Sequence, residues 1–176
     1  MNRTTELHPF SVPRYPSGDP AQRVAFQVLV TQDAGQQRHA QLLARADTIE
    51  IRHLALPQYA DEAALGEALA TLLSEARVGM RLELHGDEAF IWTLRGVARA
   101  AGLLGDEITL QCSERGRRML FCVHCASLQP GTSADLQPCS QCGVMLEVRR
   151  HFSERLGAYL GVCAVSYTHL RAHETR

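Results

Sequence analysis

The chain contains no lysine: all eighteen of its basic residues are arginine. That absence excludes Schiff-base chemistry on a lysine and the lysine of a phosphate-binding P-loop. No apolar run approaches the ~18 residues of a membrane span. The first ten residues, MNRTTELHPF, lack the apolar stretch of a secretory signal. Neither sign of charge is in excess. Eighteen basic against nineteen acidic residues leave a formal −1, too little to recruit nucleic acid or an anionic membrane by bulk electrostatics. These absences together lead us to expect a cytoplasmic protein that binds neither membrane nor nucleic acid.

What is present is ordinary globular composition, 45% apolar and 21% charged over 176 residues. That length holds one domain, or one domain with a small module. Residues 1–22 carry Pro9, Pro13, Pro16 and Pro20 among polar residues and read as an extended arm. Residues 23–115 then alternate in type. Val24–Val30 is a short, apolar, β-rich run. Gln36–Ala46 has Leu42, Leu43 and Ala46 at helical spacing. Ile49–Leu56 alternates and stops at Pro57. Asp61–Ala76 places Leu65, Leu69, Leu72 and Leu73 on one helical face, with Asp61 and Glu62 in the first turn, where the dipole favours anions. Met80–His85 alternates again, Asp87 opens a helix over Ala89–Ala101, Gly102 suits its C-terminal cap, and Ile108–Cys112 is a last strand. Strands and helices in alternation predict an α/β layer with a mostly parallel sheet.

A dinucleotide-binding layer needs a glycine-rich turn after its first strand, so that backbone can approach the pyrophosphate. Here the turn is Thr31-Gln32-Asp33-Ala34-Gly35-Gln36, with one glycine and an aspartate that repels phosphate. We therefore expect no nucleotide site. The segment His85-Gly86-Asp87-Glu88-Ala89-Phe90, with its helix and the strand at Ile108, resembles the closing strand–helix–strand of the nicotinamide-binding half of ferredoxin-reductase-type flavoenzymes. His85 and Asp87 stand where that family has cysteine and proline. The resemblance implies a degenerate reductase-like, Rossmann-like layer without the reductase chemistry.

The six cysteines are the most informative residues. Cys122-x2-Cys125 and Cys139-x2-Cys142 are separated by thirteen residues. Two such knuckles present four thiolates to one point, the donor set of a tetrahedral zinc site. The intervening Ala126–Pro138 is rich in Pro, Gly and Ser and reads as a returning loop, and Gly143 suits the turn after Cys142. A zinc ribbon over residues 116–163 follows, with zinc as cofactor. Disulfides are disfavoured because cytosolic thiols stay reduced. Rubredoxin-like iron sites also use paired knuckles, each followed by glycine. Ala126 in the first knuckle weakens that alternative, a stand-alone electron carrier. His124 is expected to point outward, and Cys112 and Cys163 to be small buried or half-buried apolar residues. Arg149, Arg150, His151 and Arg155 crowd donors into one segment and are candidate contacts for an acidic partner surface or an anionic ligand. No paired acid and base is found, so no catalytic residue is assigned.

The motifs Phe121-Cys-Val-His-Cys125, Pro138-Cys-Ser-Gln-Cys-Gly143, His151-Phe-Ser-Glu-Arg155 and Ala158-Tyr-Leu-Gly-Val162 resemble the DmmA-like family, the small subunit of bacterial dimethylamine monooxygenase. The resemblance runs from Val24 to Val162. It implies an accessory subunit of a heteromeric system converting dimethylamine to methylamine and formaldehyde. A haem-binding PAS-like subunit and a flavin and iron–sulfur reductase subunit are the implied partners. Residues 164–176 depart from the family and read as a non-native tail, so His169 and His173 are not taken as metal ligands.

Overall fold

The computed structural model describes residues 11–15, 24–33, 49–75 and 79–164. The expected helix at Gln36–Ala46 and the tail beyond Ala164 lie outside them. Among the described residues no helix is long and apolar enough to cross a membrane.

The first sheet is built from β1 (Phe26–Thr31), β2 (Glu50–Ala55), β3 (Met80–Gly86) and β4 (Ile108–Cys112), in the order β2-β1-β3-β4 and parallel throughout. Helix α1 (Glu62–Ser74) joins β2 to β3, and α2 (Glu88–Ala100) joins β3 to β4. The chain is thus α/β, with the elements close to where periodicity puts them. Asp61 caps α1 by accepting from the Ala64 amide at 2.8 Å, and Asp87 caps α2 through the Phe90 amide at 2.8 Å. Each cap satisfies an amide that the first helical turn leaves without a partner. Leu65, Leu69 and Leu73 face the core from α1. Gly102, at φ +100°, ends α2 in the left-handed conformation.

The second sheet is mostly antiparallel. Its strands are β5 (Arg117–Cys122), β6 (Leu128–Thr132), β7 (Leu136–Pro138), β8 (Met145–Ser153) and β9 (Ala158–Cys163), in the order β6-β5-β9-β8-β7. Here the structure corrects the expected loop. Most of the stretch between the knuckles is strand. Pro130 and Gly131 lie in β6 and Pro138 ends β7, and these are the two edge strands, where proline removes no ladder hydrogen bond.

The two sheets share one core. Phe152 from β8 is buried with Trp92, Leu94 and Phe90 of α2 and with Leu82 and Leu84 of β3. Trp92 and Phe152 meet edge-on at 4.6 Å between ring centroids, and Phe152 meets Tyr159 at 5.0 Å. Gly157, at φ +63°, lies against α2 so closely that a Cβ there would sit 3.2 Å from the Trp92 carbonyl oxygen. Residues 11–15 run across this seam. The Phe152 amide donates to the Ser11 carbonyl at 2.8 Å, and the Tyr15 hydroxyl donates to the buried Glu88 at 2.6 Å. Burial, with the Glu88 carboxylate next, raises the Tyr15 pKa, and burial with the same carboxylate pushes Tyr159 up to about 12.

Candidate metal centre

Both knuckles are tight turns at strand ends. The Cys122 amide donates to the Ser127 carbonyl at 2.9 Å, and the Cys139 amide to the Val144 carbonyl at 2.8 Å, five residues on in each case. Ala126 and Gly143, each directly after the second cysteine of its knuckle, both have positive φ, 56° and 72°. The first knuckle therefore has the same turn as the second, with alanine where glycine fits better. The missing glycine does not argue against an iron site, because the geometry it would supply is present.

The four Sγ atoms lie within 4.8 Å of one another, with Cys122–Cys142 at 3.9 Å and Cys125–Cys139 at 3.7 Å. A tetrahedral ion with ~2.3 Å bonds to sulfur sets an edge of about 3.8 Å. The separations fit that edge and are far from the ~2.05 Å of a disulfide. The electrostatics favour a bound cation. The Cys142 amide, with the Gln141 amide and the Ser127 hydroxyl behind it, outweighs burial, which pushes the other way, and holds the Cys139 thiol low, at about 6. Cys142 goes the other way. The Val144 amide lowers it, but burial and the three neighbouring thiols outweigh that and push it up to about 12. Four thiols in contact cannot all ionise unaided, and a cation lets them do so.

Two residues that sequence reasoning missed support the cluster. The Ser127 hydroxyl lies 3.0 Å from Cys125 Sγ and 3.7 Å from Cys139 Sγ. Gln129, 4% exposed on β6, donates to the Pro138 carbonyl at 3.2 Å and accepts from the Ser140 amide at 2.7 Å, tying one hairpin to the other knuckle. A polar residue at an inward position of a strand was the available signal, hidden because the segment reads as loop. His124 is exposed and outside the cluster. Cys112 is half-buried, as expected, but Cys163 is exposed at the end of β9, a correction that follows from its edge-on place beside the first residues of β8.

The arginine segment is not brought to the cysteines. Arg149, Arg150 and His151 are exposed where the β8–β9 register shifts, and Arg155 is exposed in the following turn. Arg150 is five residues along β8 from Met145, about 17 Å at strand rise. Arg149 pairs with Glu147 at 2.9 Å.

The carboxyl ends of β1 and β3, where open α/β sheets hold ligands, are filled by the chain's own side chains. Gln32 donates to Asp87 Oδ2 at 2.7 Å and accepts from the Asp87 amide at 2.7 Å. Arg117 of β5 donates to the same carboxylate at 2.9 Å and pairs with Glu62. Gly86 has no room for a side chain, since a Cβ would lie 2.5 Å from Phe90 and 2.8 Å from Gln32. Asp87 itself caps the N-terminus of α2, the helix after β3, while residues 34–36 of the turn after β1 lie outside the described residues. Burial alone would raise the Asp87 pKa, but Arg117, Gln32 and the Phe90 amide hold it below the ordinary aspartate range.

No solved structure matches the chain. Residues 119–162 match the family described as "Dimethylamine monooxygenase subunit DmmA-like, C-terminal domain". Over 164 residues, 93% of this chain and 94% of the relative, it is 57% identical to the heme-dependent oxidative N-demethylase delta subunit of Ectopseudomonas mendocina (strain ymp). Identity at that level across nearly the whole length of both proteins means that the chain belongs to the DmmA-like family of oxidative N-demethylase subunits.

Proposed function

We propose that the chain is the accessory subunit, carrying neither haem nor flavin, of a heteromeric dimethylamine monooxygenase that demethylates dimethylamine to methylamine and formaldehyde in the cytoplasm. The observation that carries this reading is the 57% identity to a delta subunit over 93% of the chain. Its partners in this reading are the haem-binding PAS-like subunit and the flavin and iron–sulfur reductase subunit. The α/β layer is a degenerate reductase-like, Rossmann-like domain whose ligand crevice Gln32, Asp87 and Arg117 fill. Residues 23–115 and 116–163 act as two domains closed on each other by the Trp92–Phe152 contact.

In this reading zinc is held by Cys122, Cys125, Cys139 and Cys142. Bound there, it supplies a closed, redox-inert crosslink and no open coordination position. The need for it is visible in the local packing. The ribbon's own apolar cluster contains only Cys122, Cys139 and Leu146 fully buried, with Cys142 and Val144 beside them. A core that small does not hold two hairpins together without a staple. The chain's residues turn the knuckles, orient the sulfurs and join the two hairpins through Gln129. A rubredoxin-like iron site, making the chain an electron carrier, is favoured by one observation, the matched positive-φ turns at Ala126 and Gly143. Elemental analysis and visible absorption decide between them. A colourless protein with one zinc per chain is expected, and a red protein with iron selects the alternative. Co-expression with the haem-binding and reductase subunits tests the accessory role, since turnover of dimethylamine by this chain alone would overturn it.

A further inference from the structure

The ribbon sheet has two faces, and both are apolar. One is buried: Leu120, Cys122, Leu146 and Val148 point inward. Paired residues in a sheet share a side, so the other face is read directly from the register. Leu128, Phe121 and Leu160 form one row across β6, β5 and β9. Val162, Glu147 and Leu136 form the next row across β9, β8 and β7, and Met145 lies beside Pro138. None of these residues belongs to either core cluster. Leu128 is 48% exposed, Met145 48% and Leu136 58%. The solvent face of a sheet packed on one side ordinarily alternates to polar residues. Here the only charges in those rows are Glu147 and, on its strand, Arg149, and they pair with each other.

We propose that this face is the docking surface for another subunit of the same demethylase, one that is apolar at the contact and acidic around it. The inference rests on the accessory-subunit reading above. At about 4.8 Å between strands the face spans about 19 Å from β6 to β7. That is the size of an interface core, and a standard interface of about 800 Å² per partner needs a surrounding rim. The rim at the far end of β8 and in the turn after it is net basic: exposed Arg149, Arg150, His151 and Arg155 stand against Glu147, which pairs with Arg149, and the exposed Glu154. A second copy of this chain would bring that basic rim against its own like, which charge repulsion opposes. An acidic-rimmed partner satisfies both parts.

The test is co-expression of the full chain with the haem-binding and reductase subunits, comparing wild type with the double variant Leu136→Asp and Met145→Asp. Both side chains lie outside the core, so metal content and melting temperature are the controls for folding. Leu104→Asp, 58% exposed on the α/β layer, is the control for a charge placed elsewhere. The expected result is at least a tenfold loss of co-purification for the double variant and none for Leu104→Asp. Should the double variant fail to fold, hydroxyl-radical footprinting of wild type reads the same face, with Met145 and Met119, which lies two residues before Phe121 on the same side of β5, expected to be protected in the complex. Undiminished assembly of a folded double variant, or unprotected methionines, overturns the docking face and leaves the accessory role standing. Failure of wild type to bind either subunit overturns the accessory role itself. A wild-type dimer that the double variant reduces to monomer identifies a second copy as the occupant and overturns the proposed partner.

Discussion

Replacing Ala126 by glycine should stabilise the protein, against the usual direction of that exchange. Ala126 has φ 56°, a conformation that costs an L-residue with a Cβ about 1–2 kcal/mol. Glycine removes that cost and loses about 0.4–1 kcal/mol more chain entropy on folding. The net gain is about 0.5–1 kcal/mol. In a protein of this length each kcal/mol moves the melting temperature by ~2–4 °C, so a rise of about 1–4 °C is expected. Ordering the knuckle is linked to metal binding. Competition against a chelator should therefore show metal held about two- to fivefold more tightly, at 1.4 kcal/mol per tenfold. Gly143→Ala is the reciprocal experiment. A Cβ there meets nothing within 4 Å, so the loss it causes is one of backbone conformation, at φ 72°. The pair should move in opposite directions by similar amounts. Lower stability or weaker metal retention in Ala126→Gly, with Gly143→Ala unchanged, would refute the equivalence of the knuckles.

Other expectations follow from the same contacts. Gln129→Leu orphans the Ser140 amide and the Pro138 carbonyl and should cost about 1–3 kcal/mol, measured as a lower melting temperature and faster loss of metal to a chelator. Asp87 has a depressed folded pKa, so its contribution is complete above its unfolded value near 3.8 and fades as pH falls through and below it. Denaturant titrations of wild type and Asp87→Asn should differ at pH 6 and converge below pH 4, metal release at acid pH affecting both alike; a constant gap would show that the carboxylate charge contributes nothing. Nicotinamide and flavin nucleotides should give no heat in calorimetric titration, and a low micromolar Kd, about −8 kcal/mol, would refute the filled crevice. Arg149→Glu with Arg155→Glu should slow assembly with the partner subunits and flatten its salt dependence without changing metal content.

The sequence was most legible where one local rule decided the outcome. Asp61 and Asp87 before apolar periodicity marked both described helices, and Cys-x2-Cys spacing marked a donor set that folds to tetrahedral separations. Between the knuckles local chemistry misled. Pro130, Gly131 and Pro138 signal a loop in isolation, and only their place on the edges of a five-stranded sheet makes them strand residues. The Gln32–Asp87–Arg117 network was illegible for another reason. Its members are 30 and 55 residues apart, and no periodicity encodes a contact between one sheet's crevice and another sheet's first strand. The apolar outer face of the ribbon was hidden in the same way, since its rows exist only once β6, β5, β9, β8 and β7 are set side by side.

Trp92 is the only tryptophan in the chain, and it stands where the two sheets meet, between Tyr15, Phe152 and Gly157. That position makes it a built-in optical probe of the seam. Its emission comes from a residue 3% exposed, whose ring is contacted by Phe152 from the cysteine-bearing sheet and covered by Arg95 at 4.8 Å. β8 carries Phe152, and Phe152 lies on the indole, so any loosening of β8 on loss of a metal from the cysteines reaches Trp92 directly. A red shift on chelation would therefore report, without any label, that the cysteine cluster and the parallel sheet unfold as one cooperative unit, and an unmoved spectrum would report that they come apart separately.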